Sequence, residues 1–512
     1  MERTTASRKT EPRTRRGLAR RAIGAPVVVP VRVERELDEL LHRQIYRELM
    51  ELIVSGRVRT AARLPSSRIL AEELGVGRNT VLLAIDQLIS EGYVETRRGR
   101  GTFVCAELPD GPPLNIVPRP KHVGRQPKLA KRAPSLVGSA DRARVTSGLL
   151  RPGEPDCTGF PFKLWAHLLW ESWRRPPITV LFGKDAAGYW PLRTAIADYL
   201  AAARGVNATA DQVIVVSGIR QALTVAARLL LDPGDTVWLE DPGYTLMRGP
   251  LIAAGATAVP VEVDQEGLSV RAGKLAEPRP KLICITPSHH YPLGVTMSEA
   301  RRLEVLKYAH RVNAWIFEDD YESEWRYTGR SPAAVQSLDH DGRVLYAGTF
   351  SKLLFPSIRL GYVVLPRHLV EPFLAALQAL DDQPTMLVQP ALAAFVGEGH
   401  LGRHLRQQRR RYKAKQEILL EAARRHLDGL LDFTFDPGGQ HLVGYLSRVL
   451  RARMDDREAS RRAAAVGIAA PALSLHWIGQ AQRQGLILGY TALPERQIET
   501  AIGRLALALR NQ

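Results

Sequence analysis

One lysine in the second half of the sequence stands where an amine could do chemistry. Lys352 follows the apolar run VLYA at residues 344–347, and Arg359 comes seven residues after it. A lysine beside an arginine and an anion site has its charged form disfavoured, and the neutral amine is a nucleophile. Thr349 and Ser351 flank it with hydroxyl groups that can donate to a phosphate. A plain surface lysine is the alternative, so the residue needs partners.

A second stretch is typical of a phosphate site. The run VIVV at residues 213–216 predicts a buried strand, and Ser217 and Gly218 form a turn into a helix that runs from Ile219 through Leu231. The free N–H groups and the dipole at a helix N-terminus both favour phosphate. Many loops of α/β proteins have this pattern, so the turn alone is a weak signal.

Carboxylates and aromatic rings follow two other predicted strands. The run AWIF at residues 314–317 leads into the acids 318–320 and then Tyr321. Ligands of open α/β sheets lie at the carboxyl ends of strands, and carboxylates buried there are costly unless they have partners or a task. A loop of solvated acids is the alternative. Tyr244 ends the turn EDPGY after another strand and presents an aromatic ring.

Together these residues match the needs of pyridoxal 5′-phosphate (PLP). This cofactor needs an amine for its aldehyde, a carboxylate for its ring nitrogen and an anion site for its phosphate. It also gains from a donor near its phenolic oxygen and from a ring to stack on. The sequence predicts Lys352 as the Schiff-base lysine, Asp319 as the carboxylate for the ring nitrogen, Tyr321 as the donor near the phenolic oxygen and Tyr244 as the stacking ring. The predicted phosphate residues are Ser217, Gly218, Ile219, Ser351 and Arg359. No metal site is predicted.

Four segments are expected to carry these residues. Residues 145–512 alternate short Val, Ile and Leu strands with helical patterns, which predicts one large α/β domain. Residues 106–144 are rich in proline, lysine and arginine and predict a semi-rigid, extended linker. Residues 37–105 predict a compact domain, and residues 1–36 predict a flexible basic arm rather than a signal peptide.

The small domain has the pattern helix, helix, turn, helix, hairpin. Apolar residues at helical spacing predict a first helix that ends at Gly56. Ser66 and Ser67 offer a cap for the second helix, and Gly75 allows a left-handed turn after it. A third helix opens at Arg78, and two short strands then flank a tip of arginines and glycines.

Each part of this pattern has a task on DNA. The third helix fits the major groove with its first residues facing base edges, and a glycine-rich wing lets arginines neutralise the sugar-phosphate wall. The predicted DNA-binding residues are Arg68, Arg78, Asn79, Thr80, Arg97, Arg98, Arg100 and Gly101. A three-helix protein-interaction module with a basic surface is the alternative.

Composition excludes several classes of protein. The hydrophobic fraction of 45% is too high for a disordered chain, and no apolar run reaches the roughly 18 residues that span a bilayer. Three widely spaced cysteines, Cys105, Cys157 and Cys284, exclude a disulfide framework and a zinc ribbon and fit a reducing cytoplasm. The formal net charge is +18, and residues 1–144 carry 28 Lys and Arg against 16 Asp and Glu. That asymmetry indicates an N-terminal part that meets a polyanion.

Longer stretches carry a family resemblance. The segment LPSSRILAEELGVGRNTVLLAIDQLISEGYVETRRGRGTFV closely resembles the winged helix of GntR-type bacterial transcription regulators. From about Gly148 onward, stretches such as AAGYWPLRTAIADYLAAARGV, TPSHHYPLGVTMS and GTFSKLLFPSIRLGYVVLP resemble the type I aminotransferase fold. The whole chain is similar to the MocR subfamily of GntR regulators. The resemblance implies an α/β fold in which an N-terminal winged helix-turn-helix is joined by a linker to a PLP-dependent type I aminotransferase-like domain.

The resemblance implies the same site residues and adds partners. The family's lysine maps to Lys352, its pyridine-nitrogen acid to Asp319 and its phosphate arginine to Arg359. The implied partners are double-stranded operator DNA and PLP, alone or with an amino acid or amine effector. The family also implies a cytoplasmic bacterial protein, nucleoid-associated when bound to DNA. Its dimers are domain-swapped homodimers, in which one chain's DNA-binding head lies against the other chain's body.

Some positions depart from the family pattern. Ile219 and Arg220 replace a small residue and a glutamine in the phosphate turn, and Phe182 replaces a tyrosine that donates to the neighbouring subunit's phosphate. Leu246 stands where some relatives carry a carboxylate-binding arginine, and the amino-acid arginine of a working aminotransferase has no clear match. Other residues that could line the pocket, although such histidines are more often structural, are His289, His290, Arg248 and His441.

Two functions agree with these observations. The first is a transcription regulator whose aminotransferase-like domain senses PLP or an adduct of PLP with an amino compound, so that binding shifts how the DNA-binding heads are placed. The second is a catalytically active aminotransferase with an accessory head. The missing substrate arginine and the dedicated DNA-binding domain favour the regulator, with at most vestigial transaminase chemistry. A third alternative, a basic scaffold with a vestigial pocket, does not fit the intact set of Lys352, Asp319 and Tyr321.

Overall fold

The structure is a computed structural model of the chain, and its described residues fall into two compact units with a boundary after Pro127. It describes residues 27–35, 39–97, 99–109, 128–130, 133–142, 147–183, 185–380, 384–434 and 436–510. We call the first unit, with described residues 27–109, the head, and the second, with described residues 128–510, the body. Residues 1–26 of the predicted arm and 110–127 of the predicted linker lie outside the described residues.

The head consists of three helices and a hairpin. Its elements are α1 (Leu41–Val54), α2 (Ser67–Leu74), α3 (Arg78–Ser90), β1 (Val94–Arg97) and β2 (Gly101–Val104). Ser66 caps α2 by accepting a hydrogen bond from the Ile69 N–H at 3.3 Å, and Gly75 ends the helix with a φ of 63°. The two strands pair antiparallel, with Val94 opposite Val104. The predicted order of elements is confirmed.

Residues 27–35, which the sequence assigned to the basic arm, pack on the head. Val29 and Val31 are buried in the same apolar core as α1 and α3. Gln44 of α1 accepts a hydrogen bond from the Glu34 N–H at 2.8 Å and donates one to the Glu34 carbonyl at 3.0 Å. The arm prediction is therefore wrong over residues 27–35, because alternate valines give this extended segment one apolar face.

The body is built on an eight-stranded sheet. In spatial order its strands are β3 (Val213–Val216), β10 (Gly361–Val364), β9 (Val344–Thr349), β8 (Trp315–Asp320), β7 (Leu282–Ile285), β4 (Thr236–Asp241), β5 (Thr257–Asp264) and β6 (Gly267–Leu268). The strands β4, β5, β7, β8 and β9 run parallel, and β10 is antiparallel to both β3 and β9. A smaller antiparallel sheet contains β11 (Leu431–Phe433), β12 (His441–Leu446) and β13 (Gly485–Gly489).

Helices pack against both sheets of the body. They are α4 (Ala133–Arg142), α5 (Phe162–Arg174), α6 (Ile178–Phe182), α7 (Trp190–Arg204), α8 (Ile219–Leu230), α9 (Arg248–Ala254), α10 (Val270–Ala276), α11 (Glu299–Val312), α12 (Arg367–Leu380), α13 (Gln389–Gly397), α14 (His400–His426), α15 (Arg448–Arg451), α16 (Asp456–Ala465) and α17 (Glu495–Arg510). Among the described residues, none of these helices combines the length and the apolar character that a bilayer crossing requires. The alternation of strands and helices confirms the predicted α/β class.

One of these helices lies inside the predicted linker. α4 has Pro134 in its first turn, where a missing N–H costs no helical hydrogen bond. The helix packs against α9 of the body. The prediction of an extended spacer is therefore wrong over residues 133–142.

The register of the strands brings three chain segments to one edge of the large sheet. Val216 ends β3 and Thr349 ends β9, and both lie opposite Gly361 at the start of β10. The next strand along, β8, ends at Asp320 beside Gly348 of β9. The residues that follow these strand ends are therefore neighbours although the sequence separates them widely.

Candidate functional site

Strand β8 carries two adjacent carboxylates with very different surroundings. Asp320 accepts hydrogen bonds from Arg204 Nε at 2.8 Å and from the Tyr346 hydroxyl. Burial alone would raise the pKa of Asp320, but the guanidinium and these hydrogen bonds hold it below its ordinary value. Asp319 is also buried, and its Oδ1 atom has no hydrogen-bond partner among the described residues. Burial, with the charges of Asp320 and Glu240, raises the pKa of Asp319.

Lys352 follows β9, and its amino group is enclosed although part of the side chain is exposed. Its Nζ donates a hydrogen bond to the Gly153 carbonyl at 2.5 Å. Burial lowers the pKa of Lys352, while the carboxylates of Glu322 and Glu154 act in the opposite direction. The sequence attributed such a shift to Arg359, whereas in the structure burial is the main cause.

The residues predicted to hold a phosphate lie at the shared strand edge. The turn 217–219 leads into α8, and Gly218 has a φ of 138°, which favours glycine. A side chain there would meet no atom within 4 Å, so the space in front of the helix is open. Ser351 follows β9, and Arg359 precedes β10 with a φ of 49°. That conformation is uncommon for a residue with a Cβ and is concentrated at ligand sites.

Three tyrosine rings stand close together in the body. The Tyr291 ring centroid is 5.7 Å from that of Tyr244 and 6.5 Å from that of Tyr321, both in edge-to-face contact. The Tyr321 hydroxyl is buried and has no hydrogen-bond partner in the described parts of the chain. Tyr291 is absent from the predicted set, and its only signal is its place in the motif SHHYPLG.

A buried imidazole links the large sheet to the small one. His289 Nδ1 lies 3.1 Å from Glu322, and its Nε2 lies 3.0 Å from Asp436, which stands between β11 and β12. Burial alone would lower the pKa of His289, but the two carboxylates raise it to about 10, so the ring is protonated at neutral pH. No local pattern predicts Glu322 or Asp436, because their common partner comes from a distant part of the sequence.

Two other histidines that could line the pocket have neighbours of their own. His441 Nε2 lies 2.9 Å from the Pro292 carbonyl. His290 Nε2 lies 3.7 Å from a carboxylate oxygen of Glu240. Burial lowers the pKa of His290 to about 3 and raises that of Glu240 to about 7, so burial opposes charge on both groups. These contacts support the structural role that the sequence favoured for both histidines.

The surroundings of the buried polar atoms fit PLP. Asp319 and Tyr321 each hold a buried polar atom without a partner in the described chain, and such atoms are costly unless a ligand satisfies them. Lys352 supplies an enclosed amine, and the turn before α8 leaves an open anion site. These groups correspond in chemistry to the partners that the ring nitrogen, phenolic oxygen, aldehyde and phosphate of PLP require.

In the head, the first turn of α3 faces solvent. Arg78 and Asn79 are exposed and Thr80 is half-buried, while Arg68 is exposed on α2. The Arg78 Nε donates to the Ser67 hydroxyl at 3.2 Å, so the start of α3 is tied to the start of α2. This surface presents donors at the position where a recognition helix meets base edges.

One arginine of the wing, Arg97, is paired within the hairpin. Arg97 forms an ion pair with Glu95 at 2.6 Å and lies 4.7 Å from the centre of the Phe103 ring. Arg100 is exposed near the tip, and Gly101 has a φ of 105°. Arg98 lies outside the described residues. The charge of Arg97 is thus partly neutralised within the hairpin.

Two family models match the chain. The model for class I and II aminotransferases matches residues 181–437, and the model for bacterial regulatory proteins of the gntR family matches residues 41–104. The second range coincides with the helices and hairpin of the head, and the first contains Lys352, Asp319 and Tyr321.

Individual curated relatives match nearly the whole chain, and solved aminotransferase structures match about three quarters of it. The chain is 39% identical to a probable rhizopine catabolism regulatory protein MocR of Rhizobium meliloti, in an alignment that covers 93% of this chain and 95% of the relative. It is 29% identical to the pyridoxine biosynthesis transcriptional regulator PdxR of Corynebacterium glutamicum, in an alignment that covers 91% of this chain and 95% of the relative. Among solved structures, a kynurenine aminotransferase of Pyrococcus horikoshii, crystallised with PMP, matches 75% of this chain and 95% of its own with a TM-score of 0.66 and 26% identity.

Proposed function

Because the chain belongs to the MocR subfamily of GntR-type transcription regulators, we propose that its head binds operator DNA and that PLP in its body controls this binding. The observation that carries the proposal is a cluster of buried, unpartnered polar atoms near an enclosed lysine, in the same chain as an exposed helix-turn-helix surface. The name of the PdxR relative, a regulator of pyridoxine biosynthesis, supports a link to this vitamin.

Three residues would hold the reactive part of the cofactor. When bound, PLP supplies an aldehyde that reacts reversibly with amines and a ring that withdraws electrons. The Lys352 amine would hold the aldehyde, and its lowered pKa leaves more of the nucleophilic neutral form. The Asp319 carboxylate would accept a hydrogen bond from the protonated ring nitrogen, and the Tyr321 hydroxyl would donate one to the phenolic oxygen. The pairing of Asp320 with Arg204 supports this assignment, because of the two adjacent carboxylates it is Asp319 that has no ion pair among the described residues.

The remaining predicted residues would orient the cofactor. The turn Ser217, Gly218 and Ile219 places the N-terminus of α8 at the phosphate. Ser351 and Arg359 would add a hydroxyl and a guanidinium at the same strand edge. Tyr244 would stack on the ring, next to Tyr291. Bound in this way, PLP would stabilise one arrangement of the body and so bias how the heads are presented to DNA.

The head would recognise DNA by the division of labour usual for winged helices. Asn79, Thr80 and Arg78, at the start of α3, would face base edges, and Arg68 would contact a phosphate. In the wing, the phosphate-contacting residues would be Arg97, Arg98, Arg100 and Gly101. The protein would act at the nucleoid of a bacterial cell.

We infer that the protein is a homodimer. Large apolar side chains are exposed within the segment 162–190: Phe162, Trp170, Trp173, Ile178, Leu181, Phe182 and Trp190. Such a concentration of exposed apolar groups marks an interaction site, and a second copy of the chain is the occupant that the family implies. Phe182, which replaces a tyrosine of relatives, is 67% exposed and would add apolar contact there. The dimer would be domain-swapped, with the proline-rich linker carrying each head to the partner's body.

Genomic footprinting of the full chain with and without PLP tests this function. We expect a small set of promoter sites whose occupancy changes at least several-fold when PLP is added. Occupancy that is identical with and without PLP would reject control by the cofactor. The genes beside the bound sites would also indicate whether the protein responds to the vitamer itself or to a metabolite.

The alternative, an active aminotransferase with an accessory head, makes a different prediction. A working enzyme should turn over an amino donor and a keto acid at roughly 1 per second or faster. We expect no steady turnover at that rate. A rate in the normal range of enzymes would favour the alternative.

A further inference from the structure

We propose that the small molecule that binds beside Lys352, together with PLP, is a primary amine without a carboxylate, such as an amino alcohol or an arylalkylamine. The inference rests on the proposed function, because it concerns the second ligand of the same cleft. It is carried by the charges and hydrogen-bond acceptors around the lysine amine.

One backbone acceptor contacts the Lys352 amine, and most of the charged groups that act on it are carboxylates. The Gly153 carbonyl accepts from Nζ at 2.5 Å. The charged groups that act on the amine are the carboxylates of Glu322, Glu154 and Asp319 and the guanidinium of Arg151. Glu322 is itself paired with the protonated His289, whose second partner is Asp436. With these two included, four carboxylates stand against two cations, and this negative excess favours an ammonium or amine ligand and opposes a second carboxylate.

The guanidinium that acts on the Lys352 amine has a carboxylate partner. Arg151 Nη1 lies 2.9 Å from a Glu154 oxygen, and both side chains are about equally exposed. A ligand carboxylate would have to displace Glu154 from Arg151 before it gained a partner of its own. The charge of the pair as a whole is zero, so the pair offers no net attraction to an anion.

Other arginines near the cleft are committed elsewhere. Arg248 donates to the backbone carbonyls of His476 at 2.6 Å and Trp477 at 3.5 Å and is buried. Arg359 is assigned above to the phosphate of PLP. Arg220 lies in the first turn of α8, beside the same phosphate site. Arg248 is therefore already engaged with the backbone, and the proposed function uses Arg359, with Arg220 beside it, at the phosphate of PLP rather than at a substrate carboxylate.

The imidazoles of the cleft do not supply an unpaired positive charge either. Burial lowers the pKa of His476 to about 4 and also lowers that of His441, so both rings are neutral at pH 7. The protonated ring of His289 is paired with two carboxylates, those of Glu322 and Asp436. A carboxylate entering the cleft would find no unpaired cation among these histidines.

A wall of rings offers contact to the carbon skeleton of the amine. The Tyr291 ring centroid lies 5.0 Å from that of His441 and 5.2 Å from that of His476. Its other neighbours are Tyr244 and Tyr321, the residues assigned to the cofactor. Aromatic rings attract apolar groups and ammonium cations alike, which fits the same class of ligand.

Matched pairs of probes test this inference on the PLP-loaded full chain. Isothermal titration calorimetry would compare 4-aminobutan-1-ol with 4-aminobutanoate, and benzylamine with 4-(aminomethyl)benzoate. Within each pair we expect the carboxylate-free amine to bind at least about tenfold more tightly. Equal binding, or tighter binding of the amino acid, would overturn the inference.

Two variants isolate the charge argument. Glu154→Gln removes one carboxylate and frees Arg151, so we expect the preference for the amino alcohol to shrink at least about threefold. Arg151→Gln is the reciprocal variant: it frees the Glu154 carboxylate, so we expect the preference for the amino alcohol to be kept or to increase. A preference that does not change in Glu154→Gln would refute the role of this charge.

The same titrations separate the inference from the proposed function. If PLP binds but neither member of any pair does, the inference fails, while control of DNA binding by PLP keeps its own test. If PLP itself does not bind, the proposed function fails and the inference fails with it.

Discussion

Replacing Arg204 with methionine tests whether the buried ion pair between Arg204 and Asp320, next to Asp319, stabilises the body. The side chains of Arg204 and Asp320 are 2% and 0% exposed, and the two atoms in contact are 2.8 Å apart. Arg204 also donates to the Ser288 hydroxyl at 2.7 Å and the Pro332 carbonyl at 2.9 Å. Methionine fills a similar volume but makes none of these bonds. The Asp320 carboxylate would then be buried without a cation.

The expected loss follows from the cost of an uncompensated buried charge. Removing one partner of a buried pair lowers the free energy of unfolding by about 3–5 kcal/mol. With a denaturant slope of roughly 3 kcal/mol per molar urea, the unfolding midpoint of the body should fall by about 1 to 2 M. Urea titration of the full chain at pH 7, followed by tryptophan fluorescence, measures that midpoint.

A second substitution shows whether the unpaired charge of Asp320 causes the loss of stability. Asp320→Asn removes the charge, so the double variant Arg204→Met with Asp320→Asn should be more stable than Arg204→Met alone. The folded-state pKa of Asp320 lies below its ordinary value of 3.8. The stabilisation is therefore fully present above that pH and is lost as the pH falls below it. A fall of the midpoint by less than about 0.3 M, or a double variant no more stable than the single one, would refute the reasoning.

Three further predictions concern other parts of the molecule. Burial raises the pKa of Glu240 to about 7 from 4.5, so its contribution to stability is full below pH 4.5 and is lost as the pH rises toward 7. In urea titrations the free energy of unfolding should therefore decline by up to about 3 kcal/mol over that range, and Glu240→Gln should remove the decline. A pH profile that Glu240→Gln leaves unchanged would contradict the raised pKa of Glu240. Arg78→Ala should weaken operator binding by about 1–3 kcal/mol in gel-shift assays without changing PLP absorbance, whereas unchanged DNA affinity would reject α3 as the recognition helix. Phe182→Glu should shift the protein toward monomer in analytical ultracentrifugation, with Leu275→Glu, at an exposed leucine outside the segment 162–190, as the control; a Phe182→Glu protein that stays fully dimeric would place the interface elsewhere.

The head could be predicted from the sequence almost completely because its signals are local. The Ser66 cap, the Gly75 turn and the short hairpin each depend on residues a few positions apart. The prediction is wrong only over residues 27–35, where the basic residues of the preceding segment obscured an apolar alternation. The basic residues there predicted an exposed arm, whereas in the structure Val29 and Val31 are buried.

The body could be predicted in its parts but not in its register. The strands before Ser217, Tyr321 and Lys352 follow from their apolar runs. Their side-by-side order, in which β10 separates β3 from β9, depends on pairings between distant segments and leaves no local trace. The chemical needs of one cofactor nevertheless pointed to segments that the structure places at neighbouring strand ends, because each need names a residue type.

The contacts that sequence reasoning missed are long-range and polar. Asp436 meets His289 across 147 positions, and Gly153 meets Lys352 across 199. Neither Asp436 nor Gly153 stands in a pattern that predicts a partner. The helix α4 was missed for a different reason, since its proline lies in the first turn, where a helix tolerates it.

The most direct test of the account is the affinity of the full chain for a fluorescent operator fragment as PLP is titrated in. We compare the unchanged protein with Lys352→Ala and with the exposed-lysine control Lys307→Ala, using fluorescence anisotropy. The account predicts that PLP changes the affinity at least several-fold for the unchanged protein and for Lys307→Ala, and leaves Lys352→Ala unaffected. An equal response of all three proteins, or no response in any, would contradict it.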